Sequence, residues 1–431
     1  MFINFPEVSG IIMQEKEVSL PRMVTVQQKY ATQKIEDITV HIRREMEILA
    51  PKAQQFCGKR IAITSGSRGI PHIDEITCAV CDVLLEWGAK PFIVPAMGSH
   101  GGATAKGQAE VLASYGVTEE RVHAPILSSM EVVKYGTLPN GLPLYCDKLA
   151  FESDGIVLLH KVKPHTDFQS NHESGLVKMI GIGLGKHKGA TALHSQGFAE
   201  FGSFLNMAAE QFMQKAPVAF GVGIVQNAYD ELRTIRVIPR EQILEADEQL
   251  LQEARQQIAG FKFDDIDVLI IDQIGKNISG YGFDPNVIGR SNSKCYGFKD
   301  PVQIKRLFVR GLTPQSHHNG SGLADVDITT RRCLNDVDWA ETWTNLITCT
   351  EIQGAKIPMY MNNDRDALLV ALRCCGGTPR PHRVVRIRDT LSLYEIQVSE
   401  ALYDSIKDQP DIEYVCGPVD LCFDGEGFLL D

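Results

Sequence analysis

After a mixed N-terminal stretch, the chain alternates short apolar runs with segments in which apolar residues recur at helical spacing. The runs Arg60–Thr64 and Pro91–Pro95 predict strands. Asp74–Trp87 and Ala105–Tyr115 predict helices, the second with Thr104 as its N-cap. Because strands and helices that alternate in this way build parallel βαβ units, the pattern predicts an α/β fold with mostly parallel sheets.

The same alternation extends along the rest of the chain. The further predicted elements are a helix at Lys34–Leu49, a strand at Gly155–Leu159, a helix at Phe198–Met213, strands at Val218–Val225 and Thr234–Ile238, a helix at Glu241–Ala259, a strand at Asp267–Asp272, helices at Asp338–Thr348 and Arg365–Arg373, and a strand at Arg383–Ile387. A chain of 431 residues exceeds the usual size of one hydrophobic core, and Phe261–Ile266 is the best candidate for a boundary. We therefore predict two α/β domains, residues 1–262 and a smaller one at 263–431, whose last segment is able to pack back on the first.

Three polar loops follow predicted strands of the first domain. They are Ser65–Pro71, Met97–Thr104 and the long stretch His160–His194. Ligand sites of α/β proteins lie at the carboxyl ends of the strands, and parallel strands bring those ends to one edge of the sheet. We therefore expect the three loops to form one site.

The stretch His160–His194 contains five histidines, five lysines and five glycines. The spacing of its glycines fits neither the dinucleotide fingerprint nor the P-loop. We expect a flexible backbone that comes close to an anionic or planar ligand, although a glycine-rich turn with solvated lysines would look the same. The glycines concerned are Gly181, Gly183 and Gly185, and the lysines that would supply charge are Lys178, Lys186 and Lys188.

Composition and charge exclude several classes of function. The chain is 44% hydrophobic and 23% charged, as is typical of a globular protein in water. Its net charge of −11 argues against a nucleic-acid surface, which would be basic. No stretch has the length of a membrane span and the N-terminus does not resemble a signal peptide, so we expect a cytoplasmic protein with no nucleic-acid or membrane partner. None of these properties predicts an oligomeric state.

The cysteines agree with that location. Eleven cysteines without a repeating frame fit reduced thiols better than a disulfide scaffold. Cys78 and Cys81 form a CxxC inside the predicted helix Asp74–Trp87, and no second CxxC completes a zinc site. We therefore interpret them as small core residues.

The polar loops carry groups for several kinds of chemistry. Two histidines on opposite sides of a substrate can each act as acid or base, and an arginine fork suits a carboxylate. A lysine can form a covalent attachment or hold a phosphate, while a histidine coordinates a metal. The residues that fit these roles are His100, His165, His194, Lys178 and Arg68. The other histidines of the loops are interpreted as solvated or hydrogen-bonding residues: His72, His123, His187, His317, His318 and His382.

Several short motifs together resemble the lactate racemase family. They are MGSHGGAT at 97–104, KPH at Lys163–His165, SRGIP at Ser67–Pro71, and a lysine followed sixteen positions later by a histidine, Lys178 and His194. In that family the cofactor is a nickel-pincer nucleotide, a nickel ion held by sulfur and carbon atoms of a modified pyridinium mononucleotide. The resemblance implies that residues 1–262 bind this cofactor, with Lys178 attached to it through a thioamide and His194 as the remaining nickel ligand.

The resemblance also implies an isomerase, a racemase or epimerase of a small 2-hydroxy acid. His100 and His165 would be the paired acid and base, and Arg68 would hold the substrate carboxylate. Gln273 and Lys276, in the loop that opens the second domain, would contact the substrate, which places the site in a cleft between the domains. A proton would leave the hydroxyl while hydride passes reversibly from its carbon to the cofactor, and two bases serve because the two enantiomers direct their hydroxyls differently.

The chain departs from the family pattern in two places. Lys178 lies in GLVKMIG rather than in a GGRKS-like context, and SGSR lacks the aspartate that better-known members carry three residues before the arginine. These differences indicate a divergent branch acting on a larger or differently charged hydroxy acid or sugar acid than lactate.

Two other functions remain open. One is a hydrolase or lyase that uses the histidines to bind zinc or another divalent metal, which predicts no adduct on Lys178. The other is a non-catalytic protein that binds a phosphorylated nucleotide, which predicts that changes to His100 and His165 leave ligand affinity intact.

Overall fold

A computed structural model describes residues 1–9, 18–66, 69–291, 302–348, 351–376 and 380–430. Within them the chain forms two compact units. One, the 31–258 unit, is the continuous segment Ala31–Ile258, and the other, the terminal unit, combines Met1–Tyr30 with Ala259–Asp431. Each unit has its own sheet and is described by itself.

Strands and helices alternate along most of the described chain. The strands are β1 (Met23–Gln28), β2 (Arg60–Ser65), β3 (Lys90–Pro95), β4 (Val132–Thr137), β5 (Pro143–Asp147), β6 (Gly155–Lys161), β7 (Val218–Gln226), β8 (Leu232–Pro239), β9 (Asp265–Ile271), β10 (Gln303–Val309), β11 (Ile328–Thr330), β12 (Met359–Met361), β13 (Val384–Ile387), β14 (Glu395–Ser399) and β15 (Ile412–Val419). The helices are α1 (Ile38–Met46), α2 (Ile73–Glu86), α3 (Ala105–Ser114), α4 (Glu119–Val122), α5 (Lys148–Phe151), α6 (Leu176–Lys178), α7 (Lys186–His194), α8 (Phe201–Lys215), α9 (Ile243–Gln257), α10 (Pro285–Ile288), α11 (Arg331–Asn335), α12 (Trp339–Thr348), α13 (Asp364–Arg373) and α14 (Glu400–Ile406).

The sheet of the 31–258 unit has the strand order β3-β2-β6-β7-β8. The first four strands are parallel, and β8 is antiparallel to β7. Ile63 of β2, Val157 of β6 and Phe220 of β7 are fully buried in one core, to which α2 adds Ile76 and Val80 one turn apart. The α/β class with mostly parallel sheets, predicted from the alternating pattern, is confirmed.

The sheet of the terminal unit has the order β12-β11-β10-β9-β13-β14-β1-β15 in the described residues. Its strands from β12 to β13 are parallel, and β14, β1 and β15 continue it in antiparallel fashion. Val268 and Ile270 of β9 pack with Leu368 and Leu372 of α13, all of them buried. No helix in the described part of the chain combines the length and the apolar character that a bilayer crossing requires.

The structure divides the chain differently from the predicted ranges 1–262 and 263–431. Met1–Tyr30 belongs to the terminal unit because β1 lies between β14 and β15 and hydrogen-bonds to both. The last segment also stays in that unit, where β15 forms the sheet edge next to β1. The second boundary, at Ile258, falls close to the predicted one.

Candidate active site

Loops and helix ends of the 31–258 unit carry four of the predicted site residues. His100 lies in the loop after β3, and His165 lies in the loop after β6. Lys178 ends α6 and His194 ends α7. Since β3 and β6 belong to the same parallel set, the two histidine-bearing loops leave the same edge of the sheet.

The charges that act on His194 indicate that three of these residues lie close together. The pKa of His194 is lowered from 6.5 to about 4, first by burial and then by the positive charges of Lys178 and His100. Charges act on one another through water only over about 10 Å, so the three side chains lie near each other. His194 is therefore neutral at pH 7, and the neutral imidazole is the form that binds a metal ion.

Aromatic rings connect His165 to His194. Phe198 lies between them, with its ring centroid 6.2 Å from that of His165 and 5.8 Å from that of His194. Phe168 is 4.4 Å from His165, and Phe201 stacks on His194 at 5.0 Å. The two imidazoles thus share one aromatic wall, formed by Phe168, Phe198 and Phe201.

The loop that carries His165 is fixed from behind by α9. The buried carboxylate of Glu173 accepts a hydrogen bond from the His165 N–H at 2.7 Å and one from the Ser170 N–H at 3.0 Å. Arg255 of α9 contacts the same carboxylate at 2.5 Å. Burial raises the pKa of Glu173, and these partners lower it. Glu173 and Arg255 therefore hold the backbone of His165 in place.

A second side chain of α9 fixes the start of the segment that carries Lys178. Asp247 accepts a hydrogen bond from the Leu176 N–H at 2.6 Å and contacts His172 Nδ1 at 2.9 Å. A Cβ atom on Gly175 would lie 2.3 Å from Asp247 Oδ1, so a glycine is required for this approach. Asp247 thereby positions α6 and, two residues on, Lys178.

Comparison with known proteins bears on this arrangement. Residues 16–204 match the family model of the lactate racemase N-terminal domain. The match covers a little less than half of the chain. It contains every predicted site residue of the 31–258 unit, from Arg68 to His194.

Solved structures extend the likeness in fold to most of the chain. A lactate racemase apoprotein from Thermoanaerobacterium thermosaccharolyticum is 15% identical with a TM-score of 0.50, over 86% of this chain and 99% of that one. A Thermotoga maritima protein solved by a structural genomics consortium is 14% identical with a TM-score of 0.51, over 82% and 97% of the chains. At these identities the likeness concerns the fold alone. A search of curated proteins gave no match.

The glycine stretch of the matched segment is helical rather than the flexible backbone that we expected. Met179–Gly183 forms one π-helical turn and α7 follows it. A Cβ on Gly183 would lie 2.7 Å from the Ala96 carbonyl oxygen, and one on Gly185 would lie 2.4 Å from that of Gly181. These glycines therefore permit close packing of the helical segment against Ala96, directly after β3, and against itself.

Lys186 does not supply charge to a ligand, contrary to the expectation from the sequence. Its side chain is fully buried, and its Nζ lies 3.1 Å from the equally buried Asp147. The ammonium also donates to the Pro95 carbonyl at 2.5 Å and to Gln108 Oε1 at 3.2 Å. Burial lowers the pKa of Lys186 and raises that of Asp147. The charge of Asp147 acts to raise the pKa of Lys186, and the charge of Lys186 acts to lower that of Asp147.

Gln108 connects the buried Lys186 side chain to the loop of His100 through hydrogen bonds. Its side-chain amide donates to the Gly98 carbonyl at 2.9 Å and to the His100 carbonyl at 3.3 Å. Asp147, Lys186 and Gln108 thus link α7 to the backbone of a proposed catalytic histidine. From the sequence we named Lys186 only as a source of charge for a ligand and did not name Asp147 or Gln108, because a lysine in a glycine-rich stretch suggests solvent exposure.

The remaining predicted site residues lie elsewhere. Arg68 is outside the described residues. Gln273 and Lys276 belong to the terminal unit, in the loop after β9. The Gln273 N–H donates to the Arg388 carbonyl at 3.0 Å, and Lys276 Nζ donates to the Gly280 carbonyl of the same loop at 2.7 Å. Their contact with a substrate stays a prediction.

Proposed function

We propose that the chain is a racemase or epimerase of a 2-hydroxy acid that works with a nickel-pincer nucleotide attached to Lys178. The observation that carries the proposal is the grouping of the candidate residues, since His165 and His194 share one aromatic wall and His194 lies beside the charges of Lys178 and His100. It supports one environment that holds a lysine for attachment, a neutral imidazole for a metal and a second imidazole for proton transfer. The match of residues 16–204 to the lactate racemase N-terminal domain supports the reaction class.

The donor set fits this cofactor. The half-buried Lys178 offers an amine for the thioamide bond, and His194 offers an imidazole nitrogen that is unprotonated at neutral pH. When bound there, the cofactor would supply a reversible hydride acceptor for the carbon that bears the substrate hydroxyl. The aromatic wall beside His194 would keep water from that side of the site.

Proton transfer falls to His100 and His165 in this proposal. The Nδ1 atom of His165 accepts a hydrogen bond from the Asp167 N–H at 3.0 Å, and the Asp167 carboxylate lies 3.6 Å from the same atom. Because Nδ1 accepts this bond, the neutral ring carries its proton on Nε2, and Nε2 would be the atom that gives this proton to the substrate. The exposed His100 would serve the opposite enantiomer. Arg68 would hold the substrate carboxylate through its planar fork, with Gln273 and Lys276 as further contacts.

Neither alternative is favoured by a specific observation. A zinc-type hydrolase would need several ligand atoms around one ion. Among the described residues, His100, His165 and His194 do not belong to any group of three ligand atoms within 4.8 Å of one another. We therefore keep one candidate function.

The test is the intact mass and nickel content of protein made in cells that also express the enzymes of cofactor synthesis. We expect an adduct and about one nickel ion per chain, the stoichiometry of a tethered nickel ion with one protein ligand. Lys178→Ala should remove the adduct. Lys188→Ala is the matched control, because Lys188 is exposed over the Tyr145 ring and should keep the adduct. An adduct that survives Lys178→Ala would contradict the proposal.

Turnover tests the two histidines separately. With the adduct in place, His100→Ala and His165→Ala should each slow racemisation by about 10²–10⁴-fold, the effect of losing a general acid or base. His187→Ala, an exposed histidine of α7, is the control and should leave the rate unchanged. Near-normal rates in both site variants would rule out the scheme of two bases.

A further inference from the structure

A second group of metal-binding side chains lies on α2 and at the end of α4. Cys78 Sγ is 3.6 Å from Asp82 Oδ2 and 3.7 Å from His123 Nδ1. His123 Nδ1 is 2.7 Å from Asp82 Oδ1. Within the part of the chain that the structure describes, only these three side chains of Cys, His, Asp or Glu bring their ligand atoms within 4.8 Å of one another.

Local structure brings the three residues together. Cys78 and Asp82 are four residues apart on α2 and therefore project from the same face. His123 follows α4 in the left-handed region, with φ of 55°, which is uncommon for a residue other than glycine. This conformation ends α4 and directs the imidazole towards α2.

The distances are close to those of a tetrahedral site. An ion bonded at about 2.0 Å to nitrogen and oxygen and about 2.3 Å to sulfur separates its ligand atoms by roughly 3.3–3.6 Å. Both distances from Cys78 Sγ are near this range. The 2.7 Å contact between His123 Nδ1 and Asp82 Oδ1 has to lengthen by about half an ångström when Oδ1 is the ligand atom. Rotation of the exposed imidazole can supply that movement.

The surrounding charges also suit a divalent cation. Arg121, the neighbouring cation, pairs with Asp74 at 2.8 Å and so is already neutralised. The buried Cys78 would have to give up its thiol proton to bind the ion. A bound ion would displace that proton and leave a neutral group of one thiolate, one carboxylate, one imidazole and the cation.

We propose that Cys78, Asp82 and His123 bind a zinc-type divalent transition-metal ion, with a water molecule in the fourth position. A thiolate and an imidazole favour zinc over calcium and magnesium, which prefer oxygen ligands alone. The site is independent of the proposed racemase function and shares no residue with it. The structure confirms that Cys78 is a buried residue of α2, and the proposed ion would give it a further role.

The ion would connect α2 to the strand that carries the loop of His100. The segment directly after His123 pairs with β3, where Ile93 N–H donates to the Pro125 carbonyl at 2.8 Å and Leu127 N–H donates to the Ile93 carbonyl at 2.9 Å. A metal that holds His123 against α2 therefore fixes this pairing. Because an ion that binds only the folded state stabilises it, zinc should raise the melting temperature of the protein.

The experiment is a calorimetric titration of Zn²⁺ into the full-length protein, with Co²⁺ as a spectroscopic probe of a thiolate ligand. Both use the His194→Ala background, so that the proposed nickel ligand contributes nothing. We expect one zinc ion per Cys78 and a charge-transfer band with Co²⁺. Cys78→Ser and His123→Gln should each weaken zinc binding by about 100-fold or more, since even residues behind the ligands contribute about 10–100-fold.

Two comparisons make the outcome decisive. His318→Gln changes a histidine that contacts Asp336 at 2.9 Å in the terminal unit, and it should leave zinc binding unchanged. His123 is exposed, so His123→Gln keeps the core intact even if Cys78→Ser does not fold. Zinc binding of equal affinity in His123→Gln, or no thiolate band with Co²⁺ in the parent protein, would overturn the proposal.

Discussion

At the scale of single residues, the surroundings of His194 determine its protonation state. Its folded-state pKa of about 4 lies below the ordinary value of 6.5, so between these values the unfolded chain binds more protons than the folded one. His194 therefore destabilises the apoprotein increasingly as the pH falls through that window, by about 3 kcal/mol in full. Above pH 6.5 this effect is absent.

We predict that His194→Gln makes the apoprotein less sensitive to acid. Denaturant unfolding of wild type and variant at pH 7 and pH 4.5 should show a difference in the free energy of unfolding that shifts in favour of the variant at the lower pH. Lys178→Met should raise the pKa of His194 because it removes one nearby positive charge. A proton NMR titration that places the His194 ring at its ordinary value of 6.5 would contradict the prediction.

The candidate site residues were named from the sequence because short motifs carry them, as with His100 and Lys178, and their roles stay predictions. Those that hold the motifs in place were not. Asp247 and Arg255 lie on α9, far along the chain from His165 and Lys178, and nothing in the sequence links them. One signal could have identified Asp247. It lies four residues after Ile243 and three before Leu250, so its carboxylate falls on the apolar face of α9.

At the scale of elements, we expect Lys186 to stabilise the contact between α7 and the loop after β3. Lys186→Met leaves the buried carboxylate of Asp147 without its cation, which typically costs about 3–5 kcal/mol. Lys186→Met combined with Asp147→Asn should recover part of that loss, because an asparagine keeps the cap on the Ala150 N–H without the charge. Urea unfolding at pH 7 measures all three proteins.

Lys188→Met is the control for this prediction. Lys188 lies two positions on in the same helix but is exposed, so its loss should change the free energy of unfolding by about 0.5 kcal/mol or less. If Lys186→Met is no less stable than Lys188→Met, then the buried pair does not contribute to stability.

Elements with a regular local pattern were predicted, and those that depend on distant partners were not. β2, α2, β3 and α9 each show their period within a few residues, and the structure places them near the predicted positions. The segment from α6 to α7 has no apolar period because its glycines serve close packing against Ala96 after β3 and within the segment itself. β1 is short and pairs with strands near the other end of the chain, so its sequence alone does not reveal its sheet.

At the scale of the whole molecule, chain length predicted the number of units but not which segments of the chain form each unit. The prediction of two α/β units rested on the size that one core can reach. Which segments share a core depends on strand pairing across the chain, and β1 pairs with β14 and β15. Length and local pattern contain no information on that pairing.

The assignment of Met1–Tyr30 to the terminal unit leads to a prediction for fragments of the chain. The 31–258 unit is one continuous segment with its own sheet and core, so residues 31–258 expressed alone should unfold cooperatively in urea and accept the adduct on Lys178. Residues 259–431 alone lack β1, which hydrogen-bonds to both β14 and β15, and should be less stable than the same fragment with residues 1–30 added. Circular dichroism and urea unfolding compare the fragments. If residues 259–431 are equally stable with and without residues 1–30, then β1 is not an integral strand of the terminal unit.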